Sequence, residues 1–490
     1  MFSRQFAEKM HPCGTIATEA VKFTIKKLGP VEKAEMRLGR LTVIAGKNNT
    51  GKTYLAYAIY GFLRMVAGRD YPMMLTRKMV PDFTALGRRV APRSVSEQLS
   101  LDEVEGAVKT ALGEYCHIFS RRGIADALAA ERPPKGFSLS CEIPPIQWPD
   151  TLDEKMGRKE LRGMGLFASV MGDVEFRRQG DRILYTADDA RHPKSASKGV
   201  ALGCIGGYML AGQMPLPFIV PAERFGVHLF YKELDFTKSR LVEMLQKLPE
   251  KGRGGYGAPM LIRDSSARYA QPIADYIDYV RQMDQPEHSG KANGRKLHHP
   301  IEDMMDGHYE HDDSNGILFV SKAGKNGFRL PLHLASSSAR GLAGLYFRIK
   351  QKPRPGDFLI IDEPEAHLHP ENQIKMAQLL ARCVNAGWRV LVTTHSDYIV
   401  KELNNLIMLS GDINPKGKAK FLSKHKHYDK NDYIKQGDVC AYVCENGGLA
   451  KCDIDSRGMR MDSFNAPILE TDSISTELDT LLPEEKQPEA

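Results

Sequence analysis

Apolar and polar residues alternate from about Ile16 to Lys26, with Val21, Phe23 and Ile25 in step, and they alternate again from Val31 to Leu38. A period of two sends successive side chains to opposite faces, so both stretches predict half-buried strands. Leu41-Thr42-Val43-Ile44-Ala45 is a nearly continuous apolar run, as expected for a parallel strand covered on both faces. Tyr54 to Tyr60 then reads as a helix. The covered-strand pattern returns at Leu216-Pro217-Phe218-Ile219-Val220, at Phe358-Leu359-Ile360-Ile361 and at Val390-Leu391-Val392, and Asp438 to Cys444 reads as a closing strand. These elements predict an α/β chain in which an antiparallel β-subdomain joins a parallel sheet.

Between the strands the pattern is weaker. Ser96 to Leu112 and Gly123 to Glu131 read as helices, Pro144 to Pro149 is Pro-rich, and short strands are expected near Val174-Glu175-Phe176 and Ile183-Leu184-Tyr185. Phe236 to Leu248 and Tyr269 to Met283 have helical spacing, His288 to Arg295 is a polar loop, and strands follow at Ile317 to Val320 and Phe328 to Leu332. The division expected is residues 1–63 for the start of the core domain, 64–215 for an insertion whose role the sequence does not show, and 216–237 for a core strand, the fold as a whole being a mixed sheet with a helical insertion lobe. Residues 238–330 make a helical lobe with return strands, 331–460 complete the core, and 461–490 form an acidic tail whose end frays.

Candidate chemistry lies where covered strands end. Gly46-Lys47-Asn48-Asn49-Thr50-Gly51-Lys52-Thr53 fits G-x-x-x-x-G-K-[ST] directly after one such strand and before a helix. Its glycines let backbone N–H groups curl around a β-phosphate, Lys52 reaches the β/γ oxygens, and Thr53 offers a hydroxyl to Mg2+. Far downstream, Ile360-Ile361 runs into Asp362-Glu363-Pro364-Glu365, so the strand's carboxyl end delivers two carboxylates to a phosphate site. Asp362 is the candidate for the Mg2+ shell and Glu363 the one that polarises the attacking water. The turn Pro221-Ala222-Glu223-Arg224 also follows a strand end, where it is either functional or a structural Glu–Arg turn.

Charge and cysteine content alter this picture little. The net charge of +7 is concentrated in two stretches, Arg64 to Arg93 and Lys416 to Lys430, which read as solvated faces before they read as nucleic-acid contacts. Eight scattered cysteines argue for reduced thiols, and Cys440, Cys444 and Cys452 lack a C-x-x-C pair. No apolar run reaches the length of a membrane span and Met1-Phe2-Ser3-Arg4-Gln5 opens no signal peptide, so the expected location is cytoplasmic. His367 and His369 alternate beside the acidic pair and read as structural or subunit-contact residues; His425 and His427 sit in a lysine-rich loop.

Leu334-Ala335-Ser336-Ser337-Ser338-Ala339-Arg340-Gly341-Leu342 precedes the acidic strand, Leu368 to Gln373 follows it, and Thr393-Thr394-His395-Ser396 ends the next strand. With the phosphate loop, this set resembles the RecF/SMC/OLD-related branch of ABC ATPases (AAA_15/AAA_21-like) over roughly residues 16–63, 216–237 and 331–411. Within that branch the chain looks like standalone ATPases of anti-phage systems, those of PARIS first and Septu second. The resemblance implies an ABC-ATPase-type mixed sheet, ATP and Mg2+ as ligands, and a nucleotide-sandwich homodimer or higher oligomer. It implies that Ser336 and Ser338 bind the γ-phosphate held by the opposite subunit, although serines stand where the family's signature loop has paired glycines. His395 would be the switch histidine that contacts the γ-phosphate.

OLD-type relatives often continue into a TOPRIM nuclease, for which Asp453-Ile454-Asp455 has the spacing, yet the chain after Gly411 is short for that fold. The leading expectation is an ATP-hydrolysing sensor or scaffold of anti-phage defence. Such a protein would hold a separately encoded effector, such as a TOPRIM nuclease, and release it when a phage component binds. A DNA-repair ATPase that clamps duplex DNA competes with it, and a nuclease in its own right is a third reading.

Overall fold

A computed structural model describes residues 21–67, 91, 93–146, 148, 152–156, 173–190, 196–230, 269–283, 297–312, 316–322, 327–351 and 357–481. The chain opens with the hairpin β1 (Lys22–Leu28) and β2 (Val31–Arg37), then β3 (Leu41–Ala45) and α1 (Lys52–Val66). Next come β4 (Arg93–Ser100), α2 (Leu101–Ile118), β5 (Ser138–Glu142), β6 (Asp153–Met156), β7 (Asp173–Gln179), β8 (Arg182–Ala190) and α3 (Ser197–Gln213). The middle of the chain holds β9 (Leu216–Val220), α4 (Gln271–Met283), α5 (His299–Met305), β10 (Gly307–Asp312), β11 (Gly316–Ser321) and β12 (Phe328–Pro331). Last are α6 (Ser337–Lys350), β13 (Asp357–Asp362), α7 (Pro370–Asn385), β14 (Arg389–Thr394), α8 (Asp397–Ser410), α9 (Pro415–Lys424), β15 (Val439–Glu445), β16 (Gly448–Lys451) and α10 (Asp462–Leu481).

Nine strands form one mixed sheet in the order β5-β1-β2-β16-β15-β3-β14-β13-β9. The expected architecture is therefore present: β15, β3, β14, β13 and β9 pair in parallel, and the β1–β2 hairpin pairs antiparallel at the other end. Every residue of β3 and β13 is buried, which is why their sequences read as continuous apolar runs. β1 keeps the alternation of a one-sided strand, with Phe23, Ile25 and Leu28 buried in the core. The register places Thr394 opposite Ala45, Thr393 opposite Asp362, and Ile361 opposite Val220. Three strand ends thus open side by side onto the loop that follows β3.

The insertion carries the two strands expected near 174–176 and 183–185, as β7 and β8. It contains a four-stranded antiparallel sheet, β4-β8-β7-β6, on which Phe176 and Tyr185 are buried, together with α2 packed on α3. The predicted helix from Ser96 starts too early, because 93–100 is a strand paired with β8. Ser100 caps α2 by accepting from the Glu103 N–H while the Glu103 carboxylate accepts from the Ser100 N–H, and this capping box sets the helix start. β5 also leaves the insertion to pair antiparallel with β1 at the edge of the main sheet. The helix expected at 236–248, the loop at 288–295 and the basic residues of 68–90 lie outside the described residues.

β10, β11 and β12 make a separate antiparallel sheet ahead of α6. The acidic C-terminal stretch is helical as far as Leu481, and its end, 482–490, lies outside the described residues. Among the described residues, no helix is long and apolar enough to cross a membrane.

Candidate active site

The loop between β3 and α1 has a backbone that only glycine allows at two points. A Cβ on Gly46 would lie 2.6 Å from the Cys444 carbonyl oxygen, and one on Gly51, at φ +102°, would lie 2.6 Å from Val31 Cγ2. The Thr50 hydroxyl donates to the Lys47 carbonyl at 2.9 Å, and Cys444 Sγ donates to the Thr50 carbonyl at 3.1 Å. Lys52 is buried, and its ammonium donates to the carbonyls of Gly46 at 2.9 Å and Lys47 at 2.8 Å. Burial lowers its pKa, and the carboxylates of Glu363, Glu365 and Asp362 oppose that shift. The lysine is therefore folded back over the loop, ready to meet an anion.

Asp362 ends β13 with no solvent exposure. Its Oδ1 accepts from the Thr53 hydroxyl at 3.3 Å and from the Thr393 hydroxyl, whereas its Oδ2 is buried without a hydrogen-bond partner. Burial pushes this carboxyl up to about 6. A partnerless buried oxygen beside a threonine hydroxyl is the kind of hard-oxygen set that Mg2+ takes. The residues present fit the ion.

Glu363 follows at φ +50°, a left-handed conformation that a residue with a Cβ rarely adopts. Its N–H donates to the Thr393 carbonyl at 3.1 Å and to the Thr393 hydroxyl at 3.2 Å. The buried guanidinium of Arg224 donates to the carbonyls of Asp362 at 2.9 Å and Glu363 at 2.8 Å. Glu365, also buried, accepts through Oε1 from the His395 N–H at 2.7 Å and the Thr394 hydroxyl at 2.9 Å. His395 Nδ1 stands 3.2 Å from Glu365 Oε1 and 3.6 Å from Glu363 Oε1. The Glu363 carboxylate, with Glu365 behind it, holds the imidazole above its ordinary pKa, and the imidazole holds the Glu363 carboxyl low.

The structure thus brings Lys52, Thr53, Asp362, Glu363 and His395 into one cluster. It adds Thr393 and Glu365, to which the sequence assigned no role of their own, and Arg224, whose turn the sequence left as either functional or structural. Their only local signal was position, at or just past the carboxyl ends of β14, β13 and β9. Glu223, beside Arg224, accepts from the Tyr57 hydroxyl of α1 at 2.9 Å.

Ser336 and Ser338 lie elsewhere in their hydrogen bonding. The Ser336 oxygen caps α6 by accepting from the Ala339 N–H at 3.2 Å, and the Ser338 hydroxyl donates to the His367 carbonyl at 2.7 Å. Arg340 holds the preceding turn through the carbonyls of His333 at 3.1 Å and Ala335 at 2.7 Å. Among the described residues, no hydrogen bond joins these serines to the phosphate loop of their own chain. The His367 ring packs edge-on against Phe225, with centroids 4.2 Å apart, and His369 Nδ1 caps α7.

Asp455 accepts from the Arg457 N–H at 2.7 Å and pairs with Arg460. Among the described residues, no three His, Cys, Asp or Glu side chains gather as a metal site. On α9, which buries none of its residues, Lys418 donates to the Leu409 carbonyl.

Residues 237–400 match the AAA_15 family, an AAA ATPase domain. The match covers less than half of the chain, and within it fall the serine turn, the Asp362–Glu363 strand end and His395. The chain is an ATPase. No curated protein matches it. Solved structures similar to it include the Smc head domain of Pyrococcus furiosus bound to the C-terminal domain of ScpA, at 14% identity, 92% coverage of this chain, 98% of that chain and a TM-score of 0.32. The SMC head domain of Thermotoga maritima is similar at 12% identity, 89% and 99% coverage and a TM-score of 0.30. The recombination mediator protein RecF is similar at 12% identity, 89% and 100% coverage and a TM-score of 0.31.

Proposed function

We propose that this chain is an ABC-type ATPase that closes on ATP as a homodimer or higher oligomer. In this reading it serves anti-phage defence as the sensor or scaffold of a separately encoded effector, in the manner of AriA of PARIS. The observation that carries the ATPase reading is the partnerless Oδ2 of Asp362 beside Thr53, with Glu363 on the next residue and Lys52 facing both. The defence reading rests on the family resemblance of the motifs.

In this reading the loop from Gly46 to Thr53 cradles the phosphates, and Lys52 neutralises the β/γ oxygens. Thr53 and Asp362 hold Mg2+, which when bound neutralises charge that develops on the phosphates. Glu363 orients water for attack on the γ-phosphorus; the bond to the β–γ bridging oxygen breaks, leaving ADP and phosphate. His395, whose pKa the neighbouring carboxylates raise, donates to the γ-phosphate. Ser336, which caps α6, and Ser338, which donates to the His367 carbonyl, present their outer side to ATP held by the second copy.

The Glu363→Gln chain, expressed with its native neighbouring genes and purified in ATP, tests the reading through the mass and composition of the complex. A doubled mass with a co-purifying protein and no nucleic acid supports it; a monomer in ATP overturns the closure. DNA without a protein partner would instead favour a RecF/SMC-like clamp on duplex DNA. The observation on that side is the exposed row Lys416, Lys420 and Lys424 on α9, and such binding would weaken steeply with salt.

A further inference from the structure

Arg224 bridges the ends of two neighbouring strands. One guanidinium nitrogen, Nη1, donates to the Pro221 carbonyl beyond β9 at 3.1 Å and to the Asp362 carbonyl of β13 at 2.9 Å. The other, Nη2, donates to the Glu363 carbonyl at 2.8 Å and reaches the Pro364 carbonyl at 3.5 Å. Three successive carbonyls, 362 to 364, therefore turn toward one planar cation that is only 3% exposed. That curl is what a left-handed Glu363 requires, since turning its carbonyl inward swings its side chain out toward His395 and Lys52. A fork of fixed geometry can hold several acceptors at once, and a lysine ammonium cannot reproduce it.

The same residue lies close beside α6, the helix that Ser336 caps. Among the described residues outside the helix's own turns, a Cβ built on Gly341 of α6 meets Arg224 Nε, at 3.7 Å, and nothing else within 4 Å. The turn that carries Glu363 and the helix that starts at Ser337 thus share Arg224 as a common support.

We propose that Arg224 is a positioning residue for hydrolysis, which holds the Asp362–Pro364 turn so that Glu363 faces the nucleotide and which ties that turn to α6. This rests on the ATPase reading above. The test is a double-mutant comparison of Arg224→Lys with Glu363→Gln, read as kcat and as ATP affinity by calorimetry. Arg224→Lys is expected to lower kcat by about 100-fold, the scale of a misplaced catalytic group, with ATP affinity held within about 3-fold. In the Glu363→Gln background the same change should cost less than about 3-fold more, because the carboxylate it positions is already gone.

A second variant, Gly341→Val, covers the case in which Arg224→Lys does not fold. Valine improves on glycine in a helix interior, while its γ-carbons press on the guanidinium, so kcat should fall by about 10-fold at unchanged ATP affinity. Wild-type turnover in the folded variant, or a parallel loss of affinity and kcat, would overturn the proposal. Normal turnover in Glu363→Gln alone would overturn the ATPase assignment of Glu363 instead, so the two failures are distinguishable.

Discussion

The Thr393 hydroxyl donates to Asp362 across the boundary between two parallel strands, occupying the Oδ1 that also accepts from Thr53 and leaving Oδ2 buried without a partner. An ionised carboxylate in that setting is costly until a cation arrives. Burial therefore raises Asp362 to about 6 from an ordinary 3.8. A raised folded-state pKa gives stability that is full below about 4 and is lost as pH rises through about 6. The loss for the free protein is about 3 kcal/mol. The melting temperature without Mg2+ should fall across that window, Mg2+ with ATP should restore it at pH 7, and Asp362→Asn should flatten the slope. A slope unchanged in Asp362→Asn would assign it to another group.

In the proposed mechanism Lys52 and Glu363 act on the same ligand with separable effects. Lys52→Ala should weaken ATP binding by about 100-fold or more, since a buried ammonium aimed at phosphate is removed. Unchanged affinity by calorimetry would mean that the loop from Gly46 to Thr53 does not hold the nucleotide. Glu363→Gln should keep ATP bound and slow turnover by about 100- to 1,000-fold, which single-turnover kinetics would read directly.

His395 carries a pH signature. Its pKa is raised by Glu363 first and then Glu365, so the imidazole keeps its proton to higher pH than a free histidine does. Its contribution is lost as pH rises through the higher folded value. The rate should fall with pH through that value in the wild type, and His395→Gln should be slower at pH 6 and flatter above it. Parallel profiles in the two proteins would remove His395 from the γ-phosphate.

Ser338 donates to the His367 carbonyl at the mouth of α6. A carboxylate placed there would repel the γ-phosphate of a second copy. Ser338→Asp should bind ATP within about 3-fold of wild type, because the phosphate loop is untouched, yet stay monomeric in ATP by light scattering. A dimer in that variant would mean that the serine turn does not meet the partner's nucleotide.

The sequence alone settled what adjacent residues decide. The near-continuous apolar runs of β3 and β13 identify covered parallel strands, the alternation of β1 and β2 identifies the one-sided hairpin, and the spacing of residues 46 to 53 proposes a phosphate loop. Each signal is local, because backbone period and turn chemistry are set within a few residues. Only the tertiary structure decided which distant groups meet. Arg224 reaches carbonyls 138 and 139 positions away, Thr393 reaches Asp362 across 31, and β5 crosses from the insertion to pair with β1. No local period records those pairings, since they depend on the order in which the strands align. The start of α2 shows the same limit at short range: pairing with β8 holds 93–100 extended, and the Ser100 cap begins the helix only where that pairing ends.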